Sequence, residues 1–512
     1  MNATKKRFLD LAQELSPHGH LLHVSQLLPR ACKLWPERIA LICNEEQISY
    51  QDLYDDIVSL AHKLKALGLQ HKARVLIMYE NSINFYKAYH AAWHAGAIVV
   101  PLNVYLHEKE LEHIINDSKP HIIIASEPQK KKLENITFDA TLLTEDFFII
   151  REHTTQPLET PAYQQTDCAV ILYTSGTTGL PKGVMVSSQG IITNCMQGIA
   201  NFDITGNERI YAALPLFHSY MENAAVWSPL IVGATVIVVP SITRGALLKG
   251  LALRPTVVLG IPHLFGLFAL MKTAPFPDVK LFVSGGDALH NKIRMGFELI
   301  YNRKITNGYG LTETGPFISV DIDDARRPAG CVGKGMEDVC VEIRDHDGTV
   351  LPACTPGTLW VKGNNCMLGY YNAPEATTKI MIDGWINTGD SAYVTTDGFI
   401  VLCGRERDII SHKGFKIYPP EIENILTGHP AVMMAAVVGV MRDGVESPVA
   451  FVASKMNPEE LIPELKILCE NNVARYKIPV QFYVKNELPM TATGKLDKKL
   501  LRKELEGKNT LQ

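Results

Sequence analysis

The stretch Tyr173-Thr174-Ser175-Gly176-Thr177-Thr178-Gly179-Leu180-Pro181-Lys182-Gly183 follows directly on the apolar run Ala169–Leu172. A short apolar run bounded by turn residues reads as a buried strand, and the glycine-rich segment after it as a loop. Gly176, Gly179 and Gly183 let the backbone turn sharply and come close to an oxyanion. Thr174, Ser175, Thr177 and Thr178 add hydroxyl donors, and Lys182 adds a positive charge. Charge-assisted hydrogen bonds contribute about 1.5–3 kcal/mol each, so several together suffice to hold a triphosphate tail. The loop is not of the Walker type, because Gly183 follows the lysine where Ser or Thr should ligate magnesium.

Outward from this loop, from about residue 38 to 310, short β-branched runs alternate with helix-length segments. Arg74–Tyr79, Ile122–Ala125, Val236–Val239, Val257–Leu259 and Leu281–Ser284 read as strands, and Tyr50–Leu67, Ser188–Asn201 and Ala288–Tyr301 as helices. That rhythm predicts α/β layers with largely parallel sheets. Between 330 and 402 Gly and Pro become frequent and the expected strands short (Val339–Arg344, Gly357–Lys362, Phe399–Leu402), which predicts a β-rich subdomain. After Gly404 the pattern changes again. Pro419-Pro420 before Glu421-Ile422-Glu423 suits a helix start. Strands at Met433–Val440, Ala450–Lys455 and Gln481–Val484, with helices at Pro458–Val473 and after Gly494, complete a small α+β unit. The expected organisation is a large α/β N-terminal domain (1–403), a hinge (404–408) and a small mobile C-terminal domain (409–512).

Composition narrows the function classes. Of 512 residues 46% are hydrophobic and 20% charged, and the formal net charge is −4. No global field therefore draws the chain to nucleic acid or anionic lipid, and an anionic substrate must be met by local donors. The ten cysteines form no CxxC pair and no zinc-type spacing, which suits thiols in a reducing compartment. The N-terminus lacks the apolar core of a signal peptide. The uncharged run Ala224–Pro240 is broken by Pro229 and Gly233 and reads as a buried helix followed by the strand Ala234–Val239. The expected location is cytoplasmic, with no transmembrane segment.

Other segments carry chemistry. Asn307-Gly308-Tyr309-Gly310-Leu311-Thr312-Glu313, placed after a strand, joins a flat ring, glycines, a hydroxyl and a carboxylate. Such a ring can stack on a base and the carboxylate can ligate Mg2+. Ser284-Gly285-Gly286-Asp287-Ala288 and Asn387-Thr388-Gly389-Asp390 both read as turns, the second ending in a two-oxygen acceptor. Gly404-Arg405-Glu406-Arg407-Asp408 opens the small unit. Pro489-Met490-Thr491-Ala492-Thr493-Gly494-Lys495 puts a lysine on a loop that can reach a cleft between domains and neutralise charge growing on a phosphate.

Taken together and in this order, these segments resemble the adenylate-forming superfamily, which comprises acyl-CoA synthetases, coumarate ligases, luciferases and adenylation domains. The resemblance runs from about residue 25 to 505. It implies an ATP-dependent carboxylic acid–CoA ligase: the carboxylate attacks the α-phosphate, pyrophosphate leaves, and the acyl group passes to the thiol of coenzyme A with release of AMP. It implies Tyr309 against adenine, Asn307 on its amino group, and Gly285, Gly286 and Asp287 as the facing wall, with Gly308 and Gly310 in the nucleotide site. It further implies Thr312 at the α-phosphate, Glu313 on Mg2+, Asp390 on the ribose hydroxyls and Arg405 on ribose or phosphate. Lys495 becomes the catalytic lysine and Arg407 the hinge, where relatives more often carry Lys or Asp. The segment Ser411–Ile417 is expected on the thiolation face, with Lys413, Gly414 and Lys416 towards coenzyme A.

The acid is expected to lie near His218, Tyr220, Ile261, Gly310 and Leu311. Amino-acid-activating relatives carry an aspartate just after the segment matching Leu214–His218. Here Ser219, Tyr220 and Met221 follow, which argues against an α-amino acid. The apolar stretch Gly260–Phe268 suits a medium- or long-chain fatty acid, and an aromatic acid fits the same pattern. Loading of a carrier protein is the alternative acceptor, and a catalytically silent nucleotide- and acyl-binding sensor is the alternative of another class. The sequence leaves peripheral membrane contact open and sets no oligomeric state.

Overall fold

The computed structural model describes residues 2–17, 19–154, 156, 163–174, 180–322, 328, 330–412, 415–442, 445–490 and 496–509. Two large sheets organise its N-terminal part. The seven-stranded sheet runs in the order Gly369–Tyr370, Lys182–Ser187, Cys168–Thr174, Ile98–Pro101, Arg74–Met78, Ile122–Ala125, Thr141–Leu143. Its last five strands are parallel, while Lys182–Ser187 and Gly369–Tyr370 add antiparallel at one edge. All four residues of Ile122–Ala125 are buried, as expected where helices cover both faces of a parallel sheet.

The nine-stranded sheet contains six parallel strands in the order Thr306–Gly310, Leu281–Ser284, Val257–Gly260, Arg209–Ala212, Thr235–Val238, Ile39–Cys43. One apolar core, which includes Tyr89, Trp93, Trp227 and Phe265, is shared by the strands and helices of both sheets. Local signals set the helices between them. Ser49 caps Tyr50–Ala66 by accepting the Asp52 amide, and Ser187 caps Ser188–Phe202 by accepting that of Gly190.

Several sequence expectations are corrected. Asn307–Gly310 do not follow a strand; they lie within the strand Thr306–Gly310. Asn387–Asp390 do not form a free turn but sit inside the strand Trp385–Val394. There Gly389 (φ +67°) and the Asn387 side chain, whose Oδ1 accepts the Gly389 amide at 2.8 Å, bend the strand locally. Ala288–His290 stay outside the helix Asn291–Tyr301, because Asp287 Oδ1 takes the Ala288 amide at 2.8 Å. The apolar run after Ala224 is helical and then a strand, but the helical part begins with the π-helical stretch Glu222–Trp227.

The β-rich region pairs Val339–Arg344, Gly357–Gly363, Trp385–Val394 and Ile400–Arg405 antiparallel, so Gly404 and Arg405 finish a strand and a 3-10 turn follows at Glu406–Asp408. The smaller C-terminal part holds the hairpin Ile410–His412/Phe415–Ile417 and a three-stranded sheet with helices on both faces. Its own cores include Ile422, Val437, Leu461, Leu465 and, on the other face, Phe451, Leu501 and Leu505. It docks on the large part through Lys292, whose Nζ donates to the carbonyls of His429 (3.2 Å) and Pro430 (3.3 Å), and through His290 Nδ1, 2.9 Å from Asn424 Oδ1. The fold is thus mixed α/β with a large N-terminal and a smaller C-terminal domain.

Candidate active site

Four neighbouring parallel strands, Thr306–Gly310, Leu281–Ser284, Val257–Gly260 and Arg209–Ala212, present their carboxyl ends together. The segments that leave those ends are Leu311–Glu313, Gly285–Asp287, Ile261 and Ala213–His218, so the parallel topology gathers distant motifs at one rim. The Gly285 amide donates to the Gly260 carbonyl at 3.0 Å. A Cβ on Gly285 would stand 3.4 Å from the Tyr220 ring, and one on Gly286 (φ +79°) would stand 3.5 Å from Ile261 Cγ2. At Gly310 a Cβ would fall 1.8 Å from the Pro316 carbonyl oxygen, so only glycine allows the close approach made there.

The residues after Leu216 turn back onto this rim. Ser219 Oγ lies 3.2 Å from Thr312 Oγ1, and the Tyr220 hydroxyl donates to the Val283 carbonyl at 3.2 Å. His218 caps the short turn Ser219–Met221, its Nδ1 accepting the Tyr220 amide at 3.3 Å. His218, Tyr220, Ile261, Gly285 and Thr312 therefore surround one region. Its apolar residues are Tyr220 and Ile261, while Leu311 packs against the cluster of Tyr309, Ile318 and Val332.

Glu313 is held from the opposite side. The Tyr370 hydroxyl donates to its Oε1 at 2.7 Å, and its own carbonyl accepts the Met367 amide at 2.9 Å. Burial, then the Glu313 charge, raise the Tyr370 phenol above its ordinary pKa, so it stays protonated and a donor. Lys182 Nζ lies 5.3 Å from the centre of the Tyr370 ring. It opens the strand Lys182–Ser187 opposite Thr174. Lys182, Tyr370 and Glu313 thus form one series of contacts.

A second charged group sits beside Tyr309. Buried Asp390 accepts the Tyr309 hydroxyl at 2.5 Å on one oxygen and pairs with Arg405 Nε at 2.9 Å on the other. The strand register explains this, since Asp390 and Arg405 are directly opposed. Burial, then Asp390, raise the Tyr309 phenol well above its usual pKa. Asn307 Nδ2 donates to the Cys331 carbonyl at 2.9 Å, which uses one of its two N–H groups and leaves Oδ1 as acceptor. A cleft lined by Leu289, Arg294, Ile305, Asn307, Asp321 and Cys331 opens there.

The rim does not gather every expected residue. Asp287 is exposed, with Oδ1 on its neighbour's amide, and Arg407 is exposed in the turn Glu406–Asp408. Lys416 is exposed in the hairpin strand Phe415–Ile417, opposite Ser411. Ser175, Gly176, Thr177, Thr178, Gly179, Lys413, Gly414 and Lys495 lie outside the described residues. Two participants escaped the sequence reading. Tyr370 is 57 residues from Glu313, and no local pattern signals that pairing. Ser219 adjoins a motif residue, but its partner Thr312 is 93 residues away.

The chain is similar to known proteins over most of its length. A family model described as AMP-binding enzyme matches residues 28–371, and one described as AMP-binding enzyme C-terminal domain matches 421–495. A long-chain-fatty-acid–CoA ligase of Bacillus subtilis (strain 168) is 29% identical over 94% of this chain and 95% of its own length. A feruloyl-CoA synthase of an Amycolatopsis species is 29% identical over 93% and 97%. Among solved structures, ATP-bound MatB from Rhodopseudomonas palustris superposes with a TM-score of 0.86 at 26% identity, covering 94% of this chain and 99% of that one. The o-succinylbenzoate CoA synthetase of Bacillus subtilis in complex with its acyl-adenylate gives 0.84 at 27%, covering 94% and 97%.

Proposed function

Since the chain belongs to the AMP-binding enzyme family over both its parts, we propose that it is an ATP-dependent acid–CoA ligase acting on a medium- or long-chain fatty acid. The observation that carries the reading is the meeting of Tyr309 and Asp390, 81 residues apart, at 2.5 Å. A stacking ring and a two-oxygen acceptor side by side match the base and ribose of one nucleoside.

ATP then lies along the strand rim. Tyr309 and Gly285–Gly286 flank adenine, and Asn307 Oδ1 accepts from its amino group. Asp390, oriented by Arg405, takes the ribose hydroxyls. Thr312 meets the α-phosphate, while Lys182 and the donors of Ser175–Gly179 hold the remaining phosphates. Glu313 has Oε1 committed to Tyr370, and its remaining oxygen suits Mg2+, which is commonly held by one or two carboxylates plus substrate phosphates. That ion, when bound, offsets charge on the leaving pyrophosphate. Carboxylate and triphosphate repel each other, so catalysis rests on placing cations between them, and Lys495 supplies a movable one.

The acid enters beside His218, against Tyr220, Ile261 and Leu311. These walls offer no charged partner for a distal group, which supports a hydrocarbon tail over an amino acid. For the second step, residues 409–512 form a domain that turns about Arg407 and brings Lys413, Gly414 and Lys416 to coenzyme A. The test of the acid is pyrophosphate release across a series from acetate to oleate together with cinnamates. Turnover rising with chain length supports the fatty-acid reading, and turnover with cinnamates alone overturns it in favour of an aromatic acid.

A further inference from the structure

The helices Pro262–Met271 and Asn291–Tyr301 each link neighbouring parallel strands, Val257–Gly260 to Leu281–Ser284 and Leu281–Ser284 to Thr306–Gly310. Right-handed crossovers place both on the same face of the nine-stranded sheet. Their inner sides are filled by Leu264, Phe265, Phe268 and Phe297, and the three phenylalanine rings pack edge-on among themselves and against Phe276 and Phe282. Their outer sides are apolar too. Leu299 is 87% exposed, Leu270 79%, Met295 64% and Ile300 41%. A Cβ added to Gly266 or Gly296 would meet nothing within 4 Å, so among the described residues no other element covers the helices at these two positions. Other exposed large apolar residues, such as Leu9, Tyr105, Ile149 and Ile467, stand on separate elements. A concentration of this kind marks a contact surface.

The charges around it are one-sided. Lys272 follows Leu270 and Met271 directly, and Arg303 and Lys304 follow the second helix, whereas Glu298 is the one acid between residues 288 and 304. This contrasts with a chain that carries 50 Lys and Arg against 54 Asp and Glu. A second copy of the chain docking by a two-fold axis would bring this basic rim against itself, which is unfavourable. An anionic lipid surface answers both features at once.

We propose that this face docks on membranes bearing anionic lipid. Leu270, Met295, Leu299 and Ile300 enter the headgroup–acyl boundary, and Lys272, Arg303 and Lys304 meet the lipid phosphates. Pro262–Met271 spans about 15 Å from the patch to Ile261, the residue against Gly286 at the candidate site, so one helix joins the two. The docking claim stands whatever acid is activated.

The test is co-sedimentation of the full chain, without ATP or acid, with vesicles of phosphatidylcholine and of phosphatidylcholine containing about one-third phosphatidylglycerol. Binding to the anionic vesicles, weakened by salt, is expected. The Leu270→Ser/Leu299→Ser variant should bind about tenfold less. Arg303→Glu/Lys304→Glu should lose the preference for anionic vesicles while keeping the wild-type circular dichroism spectrum. Three results would overturn the proposal. One is no vesicle binding by the wild type, and another is equal binding by the leucine variant. The third is a dimer seen by light scattering that the leucine variant abolishes, without vesicle binding, which assigns the face to a second copy.

Discussion

The Tyr370 hydroxyl donates to Oε1 of Glu313 at 2.7 Å, while Lys182 stands 5.3 Å from the centre of the same ring. One phenol therefore fixes the carboxylate and faces the Lys182 cation. A neutral donor on a carboxylate orients it without cancelling its charge, which a metal-binding carboxylate requires.

Tyr370→Phe removes that hydrogen bond and keeps the ring beside Lys182. A hydrogen bond to a charged group contributes about 1.5–3 kcal/mol, so activity should fall about tenfold or somewhat more, with a higher Mg2+ concentration for half-maximal rate. A titration of initial rate against Mg2+ reads both. An unchanged Mg2+ dependence would remove Tyr370 from the account.

Asp390→Asn keeps the shape but loses the charge that Arg405 opposes at 2.9 Å. The KM for ATP should rise about tenfold or more, because ribose hydroxyls donate less well to an amide. Thermal stability should also fall, since Arg405 keeps its charge without its carboxylate. Steady-state kinetics and a melting curve separate the effects, and a lower melting temperature with an unchanged KM would leave Asp390 a purely structural role.

Lys495→Ala should slow adenylate formation by about 10²–10³, the usual effect of losing one preorganised charge. Conversion of supplied acyl-adenylate to acyl-CoA should persist if the lysine acts in the first step alone. Equal loss in both half-reactions would contradict that division.

Glu222 is buried in the π-helical stretch, where it accepts the Tyr89 hydroxyl and lies 3.3 Å from Trp227 Nε1. Burial pushes its carboxyl up to about 7, from a reference of 4.5. The folded state thus holds the proton more tightly, and this group's contribution to stability, full below about pH 4.5, is lost as pH rises to about 7. Glu222→Gln should be the more stable form at pH 8, by about 3 kcal/mol at most, with no advantage at pH 4.5. Melting curves of both forms across that range check it. The paired comparison also cancels His90 and His94, lowered by burial to about 3 and about 4, which titrate in the opposite sense. A constant difference at all pH values would refute the assignment.

The legible parts of the fold were those whose signals are local. Apolar runs such as Ile122–Ala125 and Leu281–Ser284 read directly as buried strands, and Pro419-Pro420 marked the start of Pro419–Thr427. The misread parts depend on distant partners. Asn387–Asp390 carries every local mark of a turn, yet pairing with Gly357–Gly363 and Ile400–Arg405 holds it in a strand. The π-helical stretch at Glu222–Trp227 hid within an apolar run, because what grips it, the hydroxyls of Tyr86 and Tyr89, comes from another helix. At the site, Asn307, Tyr309, Thr312, Glu313 and Asp390 stood out by residue type and order. Tyr370 and Ser219 did not, for their meaning lies in contacts 57 and 93 residues away.

The central claim is adenylation followed by transfer to coenzyme A. A single turnover with ATP, Mg2+ and a fatty acid, followed by mass spectrometry before and after coenzyme A is added, tests it most directly. The account predicts that acyl-adenylate accumulates first and is then consumed as acyl-CoA and AMP appear in equal amounts. An adenylate that forms but ignores coenzyme A, or no adenylate from any acid, would contradict it.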